Sequence, residues 1–291
     1  MKYLYYPGCS LTGTAREYDT STRAFLAAAG MELDDIPDWS CCGASAAEAV
    51  SALLSLVLPA RVLALAETRP EFTDILVPCS ACYLNLKKVE NKIRNDPDCL
   101  ETINTILAGN GLRLEGKCRV RHLLDVVSSD IGAEKLSTLR KKELKGISVA
   151  PYYGCQCLRP FHVFDDPEMP SSMTPLIEAA GANVFSWNMA SRCCGASHMS
   201  TQPEAGMLLV TAILEQARGA DAIVTVCPMC QMNLEAYQGK ISRRRGRNLR
   251  ISILYLPQLL GLSLGLSIKA VGLDRNLAIK GRFRKKLAGL V

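Results

Sequence analysis

The sequence predicts an α/β fold of two similar domains related by an approximate two-fold. Each is a small parallel sheet flanked by helices, with cysteines at the carboxyl ends of its strands. Three observations predict it. The cysteine pattern occurs twice, with offsets of 146, 152 and 148 residues between corresponding cysteines. Short apolar runs of strand length alternate with longer helical patterns, which implies parallel strands joined by right-handed crossovers. Each CxxC also falls where a buried run gives way to a helix.

Taken in order, Lys2 to Tyr6 reads as a strand entering the Gly-Cys turn at Gly8 and Cys9. Thr20 to Ala29 reads as a helix stopped by Gly30. A short segment then leads to the vicinal pair Cys41 and Cys42 in Ser-Cys-Cys-Gly-Ala-Ser (Ser40 to Ser45). A long apolar helix is expected over Ala46 to Glu67, a buried strand over Asp74 to Val77, then Cys79 and Cys82, then a helix over Tyr83 to Ile93. The second copy runs through a strand over Gly146 to Tyr153, Cys155, a helix over Thr174 to Ala180 stopped by Gly181, and the pair Cys193 and Cys194. A helix over Glu204 to Arg218, a strand over Asp221 to Val226, Cys227 and Cys230, and a helix over Met232 to Tyr237 complete it. The expected organisation is a first repeat at 1–94, a polar helical connector at 95–145 and a second repeat at 146–239. A basic segment at 240–291 completes the fold and contacts a partner.

The chain has 291 residues and is 48% hydrophobic, enough for a proper core. Aromatic residues make up only 6%, which argues against a protein built on base stacking. Net charge is +6, but the segment from Lys240 onward holds 13 basic residues and one acid, leaving 21 basic and 27 acidic elsewhere. That +12 segment includes Arg243, Arg244, Arg245 and Arg247, and it reads either as a docking surface for an acidic partner or as a solvated loop. No nucleic-acid reader motif accompanies it, so nucleic acid is not expected as a partner. The first residues reach Cys9 before any signal-like apolar region, and the longest apolar stretch is interrupted by Glu48, Pro59 and Arg61. A cytoplasmic protein without a membrane span is the expectation.

Thirteen cysteines, an odd number, do not fit a complete set of disulfides. Ten form two sets of five: Cys9, Cys41, Cys42, Cys79, Cys82, and Cys155, Cys193, Cys194, Cys227, Cys230. In an open parallel sheet both sets converge at strand carboxyl ends, where ligands bind. A CxxC at a helix start adds backbone N–H groups and the positive end of the helix dipole, which favour thiolate. Pro228 suits the first helical turn. Thiolates favour zinc, copper(I) or iron–sulfur clusters. Structural zinc fills with about four ligands, fewer than each set offers, so a cluster of several irons is the expected occupant. Zinc at one site, with a spare cysteine, is the alternative; a dithiol–disulfide relay needs less than this pattern provides.

Two Cys-Cys-Gly motifs, each with an upstream Gly-Cys and a downstream CxxC, resemble the catalytic B subunit of heterodisulfide reductase. The resemblance runs from Tyr5 to Asp274 and includes Tyr152 to Pro160, Asp165 to Glu168 and Leu256 to Gly261. It implies two non-cubane 4Fe-4S clusters, one per five-cysteine set, acting together on the disulfide of coenzyme M and coenzyme B. It further implies a small ferredoxin-like C subunit and a flavin-containing A subunit as partners. Other members of that family act on other small thiols or lipoamide, or in thiol–fumarate and quinone-linked complexes. A non-catalytic electron-transfer or assembly subunit, with one zinc site and one cluster, is the second reading.

Around the motifs, His198, Arg159 and Arg192 are the candidates to assist at the second set, by proton donation or by pairing with an anionic group on the substrate. Cys157 is two residues from Cys155 and is a possible substitute ligand; with Cys99 and Cys118 it reads as an ordinary thiol. His122 and His162 read as structural or exposed, and Lys87 and Lys88 as solvated.

Overall fold

The computed structural model describes residues 1–44 and 46–289; Ser45, which ends the first Cys-Cys-Gly-Ala-Ser run, and the last two residues of the basic segment lie outside the described residues. The first half runs β1 (Lys2–Tyr5), α1 (Gly8–Thr12), α2 (Arg16–Ala28), β2 (Glu32–Asp35), α3 (Ala47–Val50), α4 (Ala52–Glu67), β3 (Asp74–Val77) and α5 (Ser80–Asn95). It continues through α6 (Pro97–Leu107), β4 (Arg119–His122), α7 (Leu123–Val126) and α8 (Gly132–Leu139). The second half runs β5 (Ser148–Tyr152), α9 (Met173–Ala179), β6 (Asn183–Val184), α10 (Pro203–Gln216), β7 (Ala222–Thr225) and α11 (Pro228–Ala236). It ends with α12 (Gln238–Arg244), β8 (Ser252–Tyr255), α13 (Leu256–Ser263) and α14 (Gly281–Ala288).

Both sheets have four parallel strands in the same order, β2-β1-β3-β4 and β6-β5-β7-β8. The chain leaves β1 toward one edge and returns on the other side at β3, so the order reverses between these two strands. A crevice opens at such a reversal, outside the carboxyl ends. Gly8 and Cys9 follow β1 while Cys79 follows β3; Cys155 and Cys227 sit at the matching places beyond β5 and β7. The duplicated α/β architecture expected from the cysteine repeat is the one observed.

The fourth strand of each sheet comes from segments expected to lie outside the repeats. Residues 95–145 are more than a connector, because β4 pairs with β3 along its whole length. Its sequence, Arg-Val-Arg-His, alternates charge with apolar and did not read as a core strand. Likewise the basic segment supplies β8, whose residues are all buried, and so completes the second sheet. The helix expected over Ala46 to Glu67 is divided at Ser51, where extended backbone (φ −160°, ψ 130°) ends α3 and the Ser51 hydroxyl accepts from the Leu54 N–H to cap α4. Edge strands β2 and β6 are short and partly exposed, which hid them from pattern reading.

Tyrosines rather than phenylalanines dominate the core: Tyr5, Tyr6, Tyr18, Tyr83, Tyr152, Tyr153 and Tyr255 are fully buried. The halves meet where α2 packs on α13, with Tyr18 stacked flat on Tyr255 at 3.9 Å between ring centres. The related contact is Phe164 of the second half stacked on His122 of the first at 6.0 Å. Among the described residues no helix is long and apolar enough to cross a membrane.

Candidate metal centres and the cavity between the halves

All thirteen cysteines are free thiols. In the first set Cys41 Sγ lies 3.7 Å from Cys9 Sγ, and Cys42 Sγ lies 3.4 Å from Cys82 Sγ. Cys79 hydrogen-bonds Cys82, and Cys41 hydrogen-bonds Cys42, so the five sulfurs form one connected group. In the second set Cys155 contacts Cys193, and Cys230 contacts both Cys194 and Cys227. Each cysteine of the two predicted sets thus lies beside another cysteine of its own set.

The backbone shapes both sites alike. Cys79 and Cys227 are the residues directly before α5 and α11, so their CxxC partners sit in the first helical turn. Gly43 N–H points at Cys41 Sγ at 3.4 Å, and Gly195 N–H at Cys193 Sγ at 3.3 Å. Gly8 and Gly154 have φ of +68° and +71°, and a Cβ on either would lie 2.8 Å from Cys82 Sγ or 2.9 Å from Cys230 Sγ. The chain therefore closes over the sulfurs only because these positions have no side chain.

Residues missed by sequence reasoning also repeat. Asn85 donates to the Cys42 carbonyl at 3.1 Å, and Asn233 donates to the Cys194 carbonyl at 2.6 Å. Each asparagine stands three residues beyond its CxxC, so the extended pattern CxxCxxN was available as a signal. Tyr6 and Tyr152 donate to the carbonyls of Ser40 and Arg192, which immediately precede the vicinal pairs, at 2.8 and 2.7 Å. These bonds hold each vicinal pair to its sheet and its helix.

Contact between thiols splits their proton affinities. Cys193 is held down to about 6, first by its bond from Cys155, then by the Gly195 N–H and by the charges of His198 and Arg159. Cys227 is held down to about 7 by Cys230, and Cys42 to about 7 by Cys82. Burial pushes Cys9 up to about 11, and the donating members Cys82, Cys155 and Cys230 are also pushed up. Each set thus contains thiols whose proton is held less tightly than usual beside thiols that hold it more tightly, and thiolate is the donor that soft cations select. Among the described residues no group of three His, Cys, Asp or Glu side chains is placed to hold a single metal ion.

The two sets differ in surroundings. A cavity of about 210 Å³ is lined by all five cysteines of the second set and, from the first half, by Ser80, Asn85 and Lys88 among others. No cysteine of the first set lines it. Cys9 and Cys41 are instead exposed. Glu48, Asn85 and Lys88 are shared with a second hollow of about 660 Å³ that follows α4 and α5 out to Asp96.

The charges of His198 and Arg159 lower the proton affinity of Cys193. Arg159 is already engaged, donating to Glu168 and to the Ser191 carbonyl, each at 2.6 Å. Arg192 flanks Cys193 from a separate depression beside α10. Cys157 is buried and donates to the Tyr153 carbonyl at 3.2 Å, while Cys118 is buried beside the Phe72 carbonyl. Cys99 is half-buried. His162 is exposed, whereas His122 is buried and held by burial down to about 4, hence neutral. Two lysines expected to be solvated are not alike: Lys87 is nearly buried in an ion pair with Glu90 at 2.9 Å, and Lys88 borders the cavity. The arginine run is exposed and spans the end of α12 and the turn after it. In it Arg244 pairs with Glu204, and Arg245 and Arg247 pair with Glu215, all at the surface.

Residues 3–87 and 149–235 both match the cysteine-rich domain family CCG, one match per half. The chain belongs to that family. Its relatives include the 8-methylmenaquinol:fumarate reductase membrane anchor subunit of Wolinella succinogenes, 34% identical over 94% of this chain and 96% of that one. A protein of Archaeoglobus profundus named as like the heterodisulfide reductase B subunit is 33% identical over 91% of both chains. The B subunit of the ferredoxin/F(420)H(2)-dependent CoB-CoM heterodisulfide reductase of Methanosarcina acetivorans is 28% identical over 94% of this chain and 93% of that one. A solved structure of a hypothetical protein from Helicobacter pylori superposes with a TM-score of 0.79 at 16% identity. It covers 97% of this CCG chain, which spans only 52% of that longer one, and the likeness is one of fold.

Proposed function

We propose that this CCG chain is an iron–sulfur subunit that reduces, or reversibly forms, a disulfide of small thiols within a larger redox complex. The observation that carries the reading is the pair of complete five-thiol groups at equivalent strand ends, one of them opening into a cavity between the halves. Heterodisulfide reductase B subunits among its relatives support it. Cys9, Cys41, Cys42, Cys79 and Cys82 would hold one cluster, and Cys155, Cys193, Cys194, Cys227 and Cys230 the other, both of the non-cubane 4Fe-4S type. Such a cluster supplies one-electron redox chemistry and an affinity for sulfur. The net reaction takes a disulfide, two electrons and two protons to two thiols, the electrons coming from a partner electron carrier such as a ferredoxin-like C subunit fed by a flavin-containing A subunit.

The chain's own residues do the rest. The cavity admits the disulfide to the second set, and Asn85 and Asn233 keep the vicinal pairs in place. His198, exposed and acting by charge on Cys193, would donate a proton to a departing thiolate. Lys88, paired only at 3.7 Å with an exposed Glu48, is the cation available to an anionic group on the substrate. Lys88→Ala is expected to weaken binding of 2-mercaptoethanesulfonate by about five- to tenfold, the worth of a partly exposed charged contact. Binding of 2-mercaptoethanol, the same length without the charge, should not change. Thiol titration of the oxidised holoprotein followed by EPR reads both; absence of any thiol-dependent signal would count against substrate binding at a cluster.

A second reading is favoured by the methylmenaquinol:fumarate reductase relative. In it the chain passes electrons between a membrane quinone pool and a partner, and the thiol titration stays silent.

A further inference from the structure

Two carbonyls meet at the boundary between the halves. Pro78 O belongs to the peptide that precedes Cys79, and Val226 O to the peptide that precedes Cys227. Tyr18, fully buried, donates its hydroxyl to both, at 3.1 and 3.0 Å. Ser80, the residue after Cys79, reaches the same Val226 carbonyl with its hydroxyl at 3.2 Å. Behind Ser80 lies His122, with Nε2 at 3.2 Å from the serine oxygen. The His122 Nδ1 accepts from the Leu124 N–H, which leaves Nε2 as the protonated, donating nitrogen.

Two buried carbonyl oxygens brought together repel unless donors stand between them, and an unmet buried acceptor costs about 1–3 kcal/mol. Every one of the donors comes from the first half. The repeat partners of Tyr18 and Ser80 are Phe164 and Pro228, neither with a hydroxyl, and Pro228 has no N–H either. The donors are therefore not a by-product of the duplication. They are differences between the copies, placed where the copies touch.

We propose that Tyr18 and Ser80, backed by His122, form a polar clasp that fixes the separation between the two thiol sets. They are positioning residues: each acts on a carbonyl one bond from a thiol-bearing residue, Tyr18 from the core and Ser80 from the cavity wall. The inference rests on the reading that both sets hold clusters. Tightening or releasing the clasp moves Cys227 relative to Cys79 and so alters how the two centres interact.

The test uses the anaerobically prepared holoprotein carrying Tyr18→Phe and Ser80→Ala, which keep the Tyr18–Tyr255 stack and the helix start. Iron content and circular dichroism should match the unmodified protein. The spin–spin interaction between the two reduced centres, read by pulsed EPR, should be lost or clearly shifted, and Ser80→Thr, which keeps a hydroxyl, should restore it relative to Ser80→Ala. An unchanged interaction in the double variant overturns the clasp. Should the double variant fail to load iron, the comparison of Ser80→Ala with Ser80→Thr decides alone, and equal interaction in the two overturns it. An unmodified protein without two centres would instead refute the cluster reading, leaving the two failures distinct.

Discussion

Gly154→Ala is expected to empty the second centre while sparing the first. A Cβ at this position would lie 2.9 Å from Cys230 Sγ, closer than carbon and sulfur can pack, and the backbone there has φ +71°. Strain at a left-handed residue costs about 1–3 kcal/mol, and the clash must in addition displace a sulfur that contacts Cys194 and Cys227. Iron per chain should fall by about half if each centre holds four irons. Gly8→Ala should do the same at the first centre, where the Cβ would meet Cys82 Sγ at 2.8 Å. Gly30 separates the two causes, since it has φ +77° with nothing within 4 Å of its Cβ. Gly30→Ala should cost about 1 kcal/mol and leave the iron content alone. Iron lost equally in all three would show that strain, and not the sulfur contact, is responsible.

The largest loss of stability is expected from Arg121→Ala. Arg121 is buried on β4 and makes two bonds of 2.8 Å to Asp125 and one of 2.6 Å to Asp130. Asp74 of β3 is 3.5 Å away, and Tyr3 of β1 also donates to Asp130. One guanidinium thus ties three neighbouring strands to the start of α7. Removing it strands two carboxylates, Asp125 and Asp130, beside an apolar gap, while Asp74 keeps Arg119; the change is worth about 3–5 kcal/mol. Arg119→Ala, one strand position from solvent, breaks a pair whose arginine is largely exposed and should cost no more than about 1 kcal/mol. Parallel thermal melts compare the two, and equal shifts would contradict the buried-network account.

Much of this was legible in the residues because it is local. The ten cysteines, the strands that carry them and the helices that follow are set by short patterns, and duplication let each copy check the other. What stayed hidden depends on long-range packing. Strand β4 reads as charged because Arg121 finds its carboxylates on β3 and beyond α7, far along the chain. Lys88 looks solvated until the second half folds against α5 and makes a cavity wall of it. The arginine run reads as uniform positive charge until α12 lies beside the glutamates of α10, which pair with part of it at the surface. The unequal surroundings of the two sets were invisible for a related reason: their motifs match, and the cavity arises only where the halves meet. Asn85 and Asn233 were the exception, readable in sequence as CxxCxxN and overlooked.

Iron and acid-labile sulfide analysis of the anaerobically purified protein, with zinc measured in the same sample, tests the central claim most directly. Two four-iron centres predict about eight irons and eight sulfides per chain. Stoichiometric zinc without labile sulfide would contradict the account.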